Sequence, residues 1–351
     1  MSESVAAPPA AAIFGLGGLA LTDVERDFFR RVRPAGFILF ARNVDTPAQV
    51  RALVDALRAL NPDIDPLVLI DQEGGRVQRL RPPHWRFAPA AAEFGALHAC
   101  DPHAAANAVR LNMALIGREL LDLGIDVDCA PVLDVPVAGA HDVIGDRAYG
   151  RDPHTVTALG RAAADGLIDA GVMPVIKHIP GHGRAAADSH LALPVVDTDL
   201  ETLRATDFRA FADFLRPPGA PVCFGMTAHV IYRAIDAERP ATLSPVVIGD
   251  VIRGELGFDG LLMSDDLSMK ALSGPFDARA AQSLAAGCDV VLHCNGDMTE
   301  MEAVAMGTGP LGPRGLGALV AAQAIRRGPR APIASVPAAE VMVINRLRAV
   351  A

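Results

Sequence analysis

Short, nearly continuous apolar runs alternate along this chain with longer stretches in which apolar side chains recur every three or four positions. The runs fall at residues 12–16, 36–40, 67–71, 126–131, 173–178, 222–228, 260–264 and 289–294. A run without alternating polar positions is the pattern of a strand covered on both faces. Between the runs the period is helical. In residues 46–60, Val50, Val54, Leu57 and Leu60 share one helix face, and Thr46 with Pro47 supplies a cap and a first helical position. Residues 103–123, 154–170, 200–215, 244–256 and 277–286 read the same way. Strand and helix in strict alternation predict a parallel sheet with crossover helices. Eight such strands predict an α/β fold of the closed (β/α)8 barrel type. We expect one domain over residues 1–351, with two tail helices from about residue 316 packing on the barrel. An open doubly wound sheet is the alternative. Gly15, Gly17 and Gly18 lie near the first strand, but the glycine pattern of a dinucleotide turn does not complete.

The polar residues that interrupt this pattern sit where the apolar runs end, and in a barrel the C-terminal ends of the strands carry the chemistry. The third run leads into Asp71-Gln72-Glu73, the fourth ends near Asp134, and the fifth passes into Lys177 and His178. The sixth leads to His229 and the seventh to Ser264-Asp265-Asp266. Asp265 would project over the barrel mouth as a nucleophile or as the stabiliser of a cationic centre. Asp266 must point elsewhere, because neighbouring strand residues face opposite sides, and reads as structural. Residues 181–190, GHGRAAADSH, read as a flexible surface loop. Asp188 and His190 are two apart, so in an extended segment the carboxylate could hold one imidazole nitrogen and leave the other free as a proton donor and acceptor. Asp71, Arg147, Lys177 and His178 could bind sugar hydroxyls. Trp85, the only tryptophan, reads as packing.

Composition narrows the classes. The net charge is −9 and there is no basic stripe, which disfavours nucleic acid. The hydrophobic share is 51% with mean hydropathy +0.27, yet no apolar run approaches the ~20 residues of a membrane span. The opening MSESVAAPPAAA lacks a basic segment, so no secretory signal is expected. Cys100, Cys129, Cys223, Cys288 and Cys294 are odd in number and form no CxxC pair, so they read as reduced thiols of a cytoplasmic protein. Lysine occurs only as Lys177 and Lys270.

Taken together, DQEGGRVQRL (71–80), IGDRAYG (144–150), KHIPGHG (177–183), DSH (188–190), MTAHVIY (226–232) and SDDLSM (264–269) resemble the family 3 glycoside hydrolases. The likeness is strongest to their bacterial β-N-acetylhexosaminidase branch, and it spans roughly residues 12–295 in the family's motif order. That resemblance implies a retaining double displacement without metal or cofactor, on N-acetylglucosaminyl-anhydro-muropeptides released in cell-wall recycling. It implies Asp265 as nucleophile and Asp188 with His190 as the acid/base dyad. Sugar binding would fall to Asp71, Arg79, Arg147, Lys177 and His178, with Met226 and His229 beside them. Ile179 stands where the family often has Phe. The chain has no room for the second domain of larger members, so the expectation is the single-domain branch acting as a monomer on a small carbohydrate. Three other chemistries use the same residues. Asp265 and Asp266 could orient a substrate acetamido group that itself attacks. His178, His182, His190, Asp188 and His229 could hold a metal. Lys177 could form a Schiff base.

Overall fold

Eight parallel strands close into a barrel in the computed structural model, which describes residues 7–185, 189 and 192–330. They are β1 (Ala10–Phe14), β2 (Pro34–Leu39), β3 (Leu67–Ile70), β4 (Val127–Asp128), β5 (Met173–Ile179), β6 (Phe224–Thr227), β7 (Leu262–Asp266) and β8 (Val290–His293). Each pairs in parallel with its sequence neighbours, and β1 pairs with β8 to complete the ring. The barrel expected from the hydrophobic pattern is therefore the observed fold.

The period-2 rule sorts the core into two shells. Ile13, Ile38, Leu69, Val127, Val175, Met226, Met263 and Leu292 point inward and fill the barrel. Their neighbours Phe14, Phe37, Val68, Ile176 and Val291 point outward and pack under the helices. The helix Pro313–Arg327 contributes Leu319 and Ala322 to the inner cluster, together with Leu311 just before it. It is one of the two expected tail helices; the second falls beyond residue 330, outside the described residues.

Where boundaries differ, the cause is local. The fourth strand, expected over 126–131, is regular only at Val127–Asp128. Beyond it Pro131, which has no N–H to donate, still accepts from Lys177 N–H at 3.2 Å, and Val132 makes one further parallel bridge to Lys177. The helix expected over 200–215 is two, Leu200–Ala205 and Asp207–Leu215. At the break, the Thr206 hydroxyl turns back to donate to the Thr202 carbonyl. In Val247–Glu255 the backbone winds wide, as where Leu256 N–H bonds Val251 C=O. Thr46 caps Pro47–Arg58 as expected, its hydroxyl accepting from Gln49 N–H. The helices Asp23–Val32, Ala91–His98 and Met298–Met306 were not among those expected.

Residues 181–185 overturn the flexible-loop reading of that stretch. Gly181, His182, Gly183 and Ala185 are buried. Val137 N–H donates to Gly183 C=O, His141 N–H donates to Ala185 C=O, and the Tyr232 hydroxyl donates to Gly181 C=O. The glycines serve close packing rather than freedom. A Cβ on Gly183 would collide with the Val135 carbonyl, and Gly181 adopts φ +144°. Asp188 and His190 lie outside the described residues; Ser189 between them is described and buried.

Candidate active site

Over the C-terminal ends of the strands lies a cavity of about 500 Å³, within the ~300–1,000 Å³ typical of small-molecule sites. Its wall includes Asp71, Arg79, Arg147, Lys177, His178, Met226 and Asp265, seven of the residues singled out in the sequence. Phe40, Met269, Leu292 and Cys294 add apolar surface.

One side of the wall is a chain of buried ion pairs. Lys177 Nζ donates to Asp71 Oδ1 at 2.9 Å and to Glu73 Oε1 at 2.6 Å. Arg79 Nη2 donates to the other Asp71 oxygen at 3.0 Å. Arg147 grips Glu73 with two bonds, Nη2 to Oε1 at 2.8 Å and Nε to Oε2 at 2.9 Å. Burial alone would raise both carboxylates, but the cations outweigh it. Lys177 and Arg79 hold Asp71 well below the ordinary range, and Arg147 and Lys177 push Glu73 down to about 2. For Lys177, burial disfavours the charged form; Asp71 and Glu73 more than compensate and hold it above the usual lysine range. A lysine held ionised is the opposite of a Schiff-base nucleophile, which argues against that chemistry. Behind this group, burial raises Asp128 to about 8.

Glu73 was not among the expected site residues, although the alternation rule reveals it. Asp71 and Glu73 are two apart and face one side, while Gln72 faces the other. There Gln72 Oε1 accepts from the N–H groups of Arg79 and Leu80 at 2.8 and 3.0 Å, fixing the strand that delivers Arg79.

Asp134, at the end of the chain segment following β4, organises the histidines. Its Oδ1 accepts from the backbone N–H groups of His178 (3.2 Å) and His182 (2.6 Å). Its Oδ2 lies 2.6 Å from His178 Nδ1. A carboxylate only accepts, so His178 Nδ1 carries the proton, which leaves Nε2 as the second ring nitrogen for a ligand. Burial raises the Asp134 carboxyl, and the His178 charge and hydrogen bond outweigh it to leave it lowered. His182 stacks edge-on against His178 with centroids 5.6 Å apart, and burial brings its pKa down to about 4.

Asp265 and Asp266 end β7, and both line the cavity. Asp265 Oδ1 accepts from the Asp266 N–H at 2.8 Å. The Asp266 carboxylate is committed to structure: it accepts from Ser268 N–H at 2.9 Å, from the Ser268 hydroxyl at 2.6 Å and from Cys294 N–H at 3.0 Å. His229, expected at the substrate, is fully buried and is not on the cavity wall. Its Nε2 lies 3.1 Å from the Asp266 carbonyl and its Nδ1 2.7 Å from the Thr242 hydroxyl. The carbonyl only accepts, so Nε2 carries the proton and Nδ1 receives the hydroxyl. Burial keeps this imidazole neutral by lowering its pKa. His229 thus buttresses the backbone beside Asp265. Trp85 packs against the outer core. Among the described residues, no three His, Cys, Asp or Glu side chains converge as a metal cage.

This arrangement has known counterparts. The model of the glycosyl hydrolase family 3 N-terminal domain matches residues 16–308. The chain belongs to glycoside hydrolase family 3. It is 45% identical over 287 residues to a protein from Alkalilimnicola ehrlichii named β-hexosaminidase, covering 81% of this chain and 80% of that one. A protein of the same name from Methylococcus capsulatus is 44% identical over 285 residues, with 81% and 82% covered. The crystal structure of NagZ from Neisseria gonorrhoeae with N-trifluoroacetyl-D-glucosamine superposes with a TM-score of 0.83 at 31% identity, over 97% of this chain and 98% of that one. The chain is accordingly a glycoside hydrolase, and among the described residues no helix is long and apolar enough to cross a membrane.

Proposed function

We propose that this hydrolase is a retaining exo-β-N-acetylglucosaminidase that releases terminal β-linked N-acetylglucosamine. The reading extends to N-acetylglucosaminyl-1,6-anhydro-muropeptides as substrates, in cytoplasmic recycling of the cell wall. The observation that carries it is that Asp265 lines the same cavity as the Asp71, Arg79, Arg147, Lys177 and His178 group. The names of the relatives, β-hexosaminidase and NagZ, support the sugar.

In this mechanism the Asp265 carboxylate attacks the anomeric carbon from the face opposite the leaving group, and the bond to the aglycone oxygen breaks. His190, protonated and oriented by Asp188, gives that oxygen its proton. The imidazole, now neutral, then takes a proton from water as the water displaces Asp265, and the configuration is retained. Retaining enzymes that use two carboxyls keep them about 5–5.5 Å apart, and general acid/base help of this kind contributes roughly 10²–10⁴ in rate. The wall cations and His178 hold the sugar hydroxyls, and Met226 supplies apolar contact. The engagement of Asp266 with Ser268 and Cys294 disfavours the substrate-assisted alternative, which needs a second acid aimed at the acetamido group.

The test compares an aryl β-N-acetylglucosaminide with the matching aryl β-glucoside, with and without phosphate as acceptor. We expect preferential cleavage of the acetamido sugar. A fluorosugar inactivator should leave a covalent adduct on Asp265. Equal cleavage of both sugars would end the substrate assignment, and inactivation without an adduct at that residue would end the covalent mechanism.

A further inference from the structure

Ser189 is clamped from two sides. Its hydroxyl lies 3.1 Å from His182 Nε2, on the segment after β5. Its carbonyl accepts from Ala271 N–H at 3.2 Å, on the segment after β7, the strand that carries Asp265. Both Ser189 and His182 are buried and both line the cavity. His182 is itself immobilised: its N–H is held by Asp134, its ring lies against His178, and Gly183 next to it is packed onto Val135. Burial keeps the His182 ring neutral near pKa 4, so the bond to Ser189 is between uncharged groups. No other hydrogen bond is made by the second ring nitrogen, Nδ1, among the described residues.

We propose that His182 and Ser189 are a positioning pair that sets the proton-transfer residues over the glycosidic oxygen. Ser189 is covalently next to both Asp188 and His190 in the sequence, and its own hydroxyl and carbonyl are held to the segments that follow β5 and β7. His182 touches no reacting atom; it acts through Ser189. A catalytic group must be held by partners whose own geometry is locked, and the chain Asp134–His182–Ser189 supplies that from the barrel. The inference rests on the acid/base role of His190 given above.

The experiment reads a leaving-group series of aryl β-N-acetylglucosaminides on the full-length enzyme, from dinitrophenyl, which departs without a proton, to phenyl, which needs one. For Ser189→Ala, kcat/KM on the phenyl substrate should fall about three- to tenfold, the worth of one neutral hydrogen bond. The dinitrophenyl rate for the glycosylation step should change by less than about twofold. His182→Gln should behave alike. In a His190→Ala background, Ser189→Ala should cost nothing further, because coupled residues are non-additive. Ser189→Cys, with similar volume and a weaker donor, should fall between the parent and Ser189→Ala, which separates the bond from folding; melting temperatures accompany each variant. Equal losses on both leaving groups, or full additivity with His190→Ala, would overturn the pairing. A leaving-group series that stays flat in His190→Ala would instead sink the acid/base assignment itself.

Discussion

Replacing Lys177 with methionine removes one cation from a wall in which two carboxylates depend on it. Lys177 is 2% exposed and bridges Asp71 and Glu73 at 2.9 and 2.6 Å. Methionine nearly matches its length, so little cavity opens; the cost is electrostatic. Removing one partner of a buried ion pair costs about 3–5 kcal/mol, since the other charge stays buried. Here Arg79 and Arg147 still hold one carboxylate each, which places the expected loss at the lower end of that range. Unfolding entropy of about 2.1 cal/mol/K per residue gives roughly 0.7 kcal/mol/K for 351 residues. The melting temperature should therefore drop by about 4 °C at pH 7. The pH dependence has a definite sign. In the parent, Asp71 and Glu73 titrate below their unfolded values, so their stabilisation is full above the unfolded pKa and is lost as pH falls through the folded values, about 2 for Glu73. Without Lys177 both carboxyls rise, the variant regains protons earlier, and its deficit narrows as pH falls from 7 toward 4. Scanning calorimetry at several pH values measures this. A drop below about 2 °C, or a deficit that is constant with pH, would refute the reasoning.

Other consequences can be checked alongside. Asp265→Ala should abolish turnover, and near-parental activity would remove the nucleophile assignment. Asp188→Ala should lower kcat by about 10²-fold or more and flatten the limb of the pH–rate profile owed to His190; unchanged turnover would contradict the dyad. Asp128 is raised to about 8 by burial, so the folded state keeps a proton that the unfolded chain gives up. That stabilises fully below the unfolded pKa and is lost as pH rises to 8. Asp128→Asn should therefore gain melting temperature over the parent progressively between pH 4 and pH 8, and a gap that does not vary with pH would contradict it. Thr242→Val removes the hydroxyl that His229 Nδ1 accepts. Because His229 acts through the backbone next to Asp265, kcat should fall about tenfold with KM little changed, the split expected of an interaction made in the transition state.

What could be read from sequence follows a physical division. Asp71, Lys177 and Asp265 were legible because a covered strand is a continuous apolar run, and the first polar residues after it must emerge at the barrel mouth. Supports that lie across the fold were harder. Asp134 was visible as a strand-end acid, but that it gathers His178 and His182 depends on β4 and β5 being neighbours in the ring. His229 looked like its strand-end fellows, yet its ring turns behind Asp266 rather than into the cavity. Glycines 181 and 183 were read as flexibility where they permit close packing, a distinction that needs the opposing Val135 carbonyl to be seen. The helix Asp23–Val32 was missed despite its capping box, Thr22 with Glu25, which is plain in the sequence.

The same division bears on what the wall can recognise. Three cations, Arg79, Arg147 and Lys177, face two ionised carboxylates, Asp71 and Glu73, and the pairs largely cancel. An anion would gain little from such a surface, because its charge would meet cations already spent. Hydrogen-bonding capacity is not spent in the same way. An ammonium has three N–H donors, and among the described residues Lys177 directs two of them at Asp71 and Glu73. Asp71 accepts one bond on each oxygen, and each oxygen keeps a second lone pair. A wall that is close to neutral yet rich in fixed donors and acceptors suits a neutral polyol, whose hydroxyls both give and take hydrogen bonds. The buried ion pairs hold those groups rigid and leave only one positive charge in excess among the five, spread over cations that are each already paired, which is why a neutral sugar suits this wall better than a phosphate or a carboxylate.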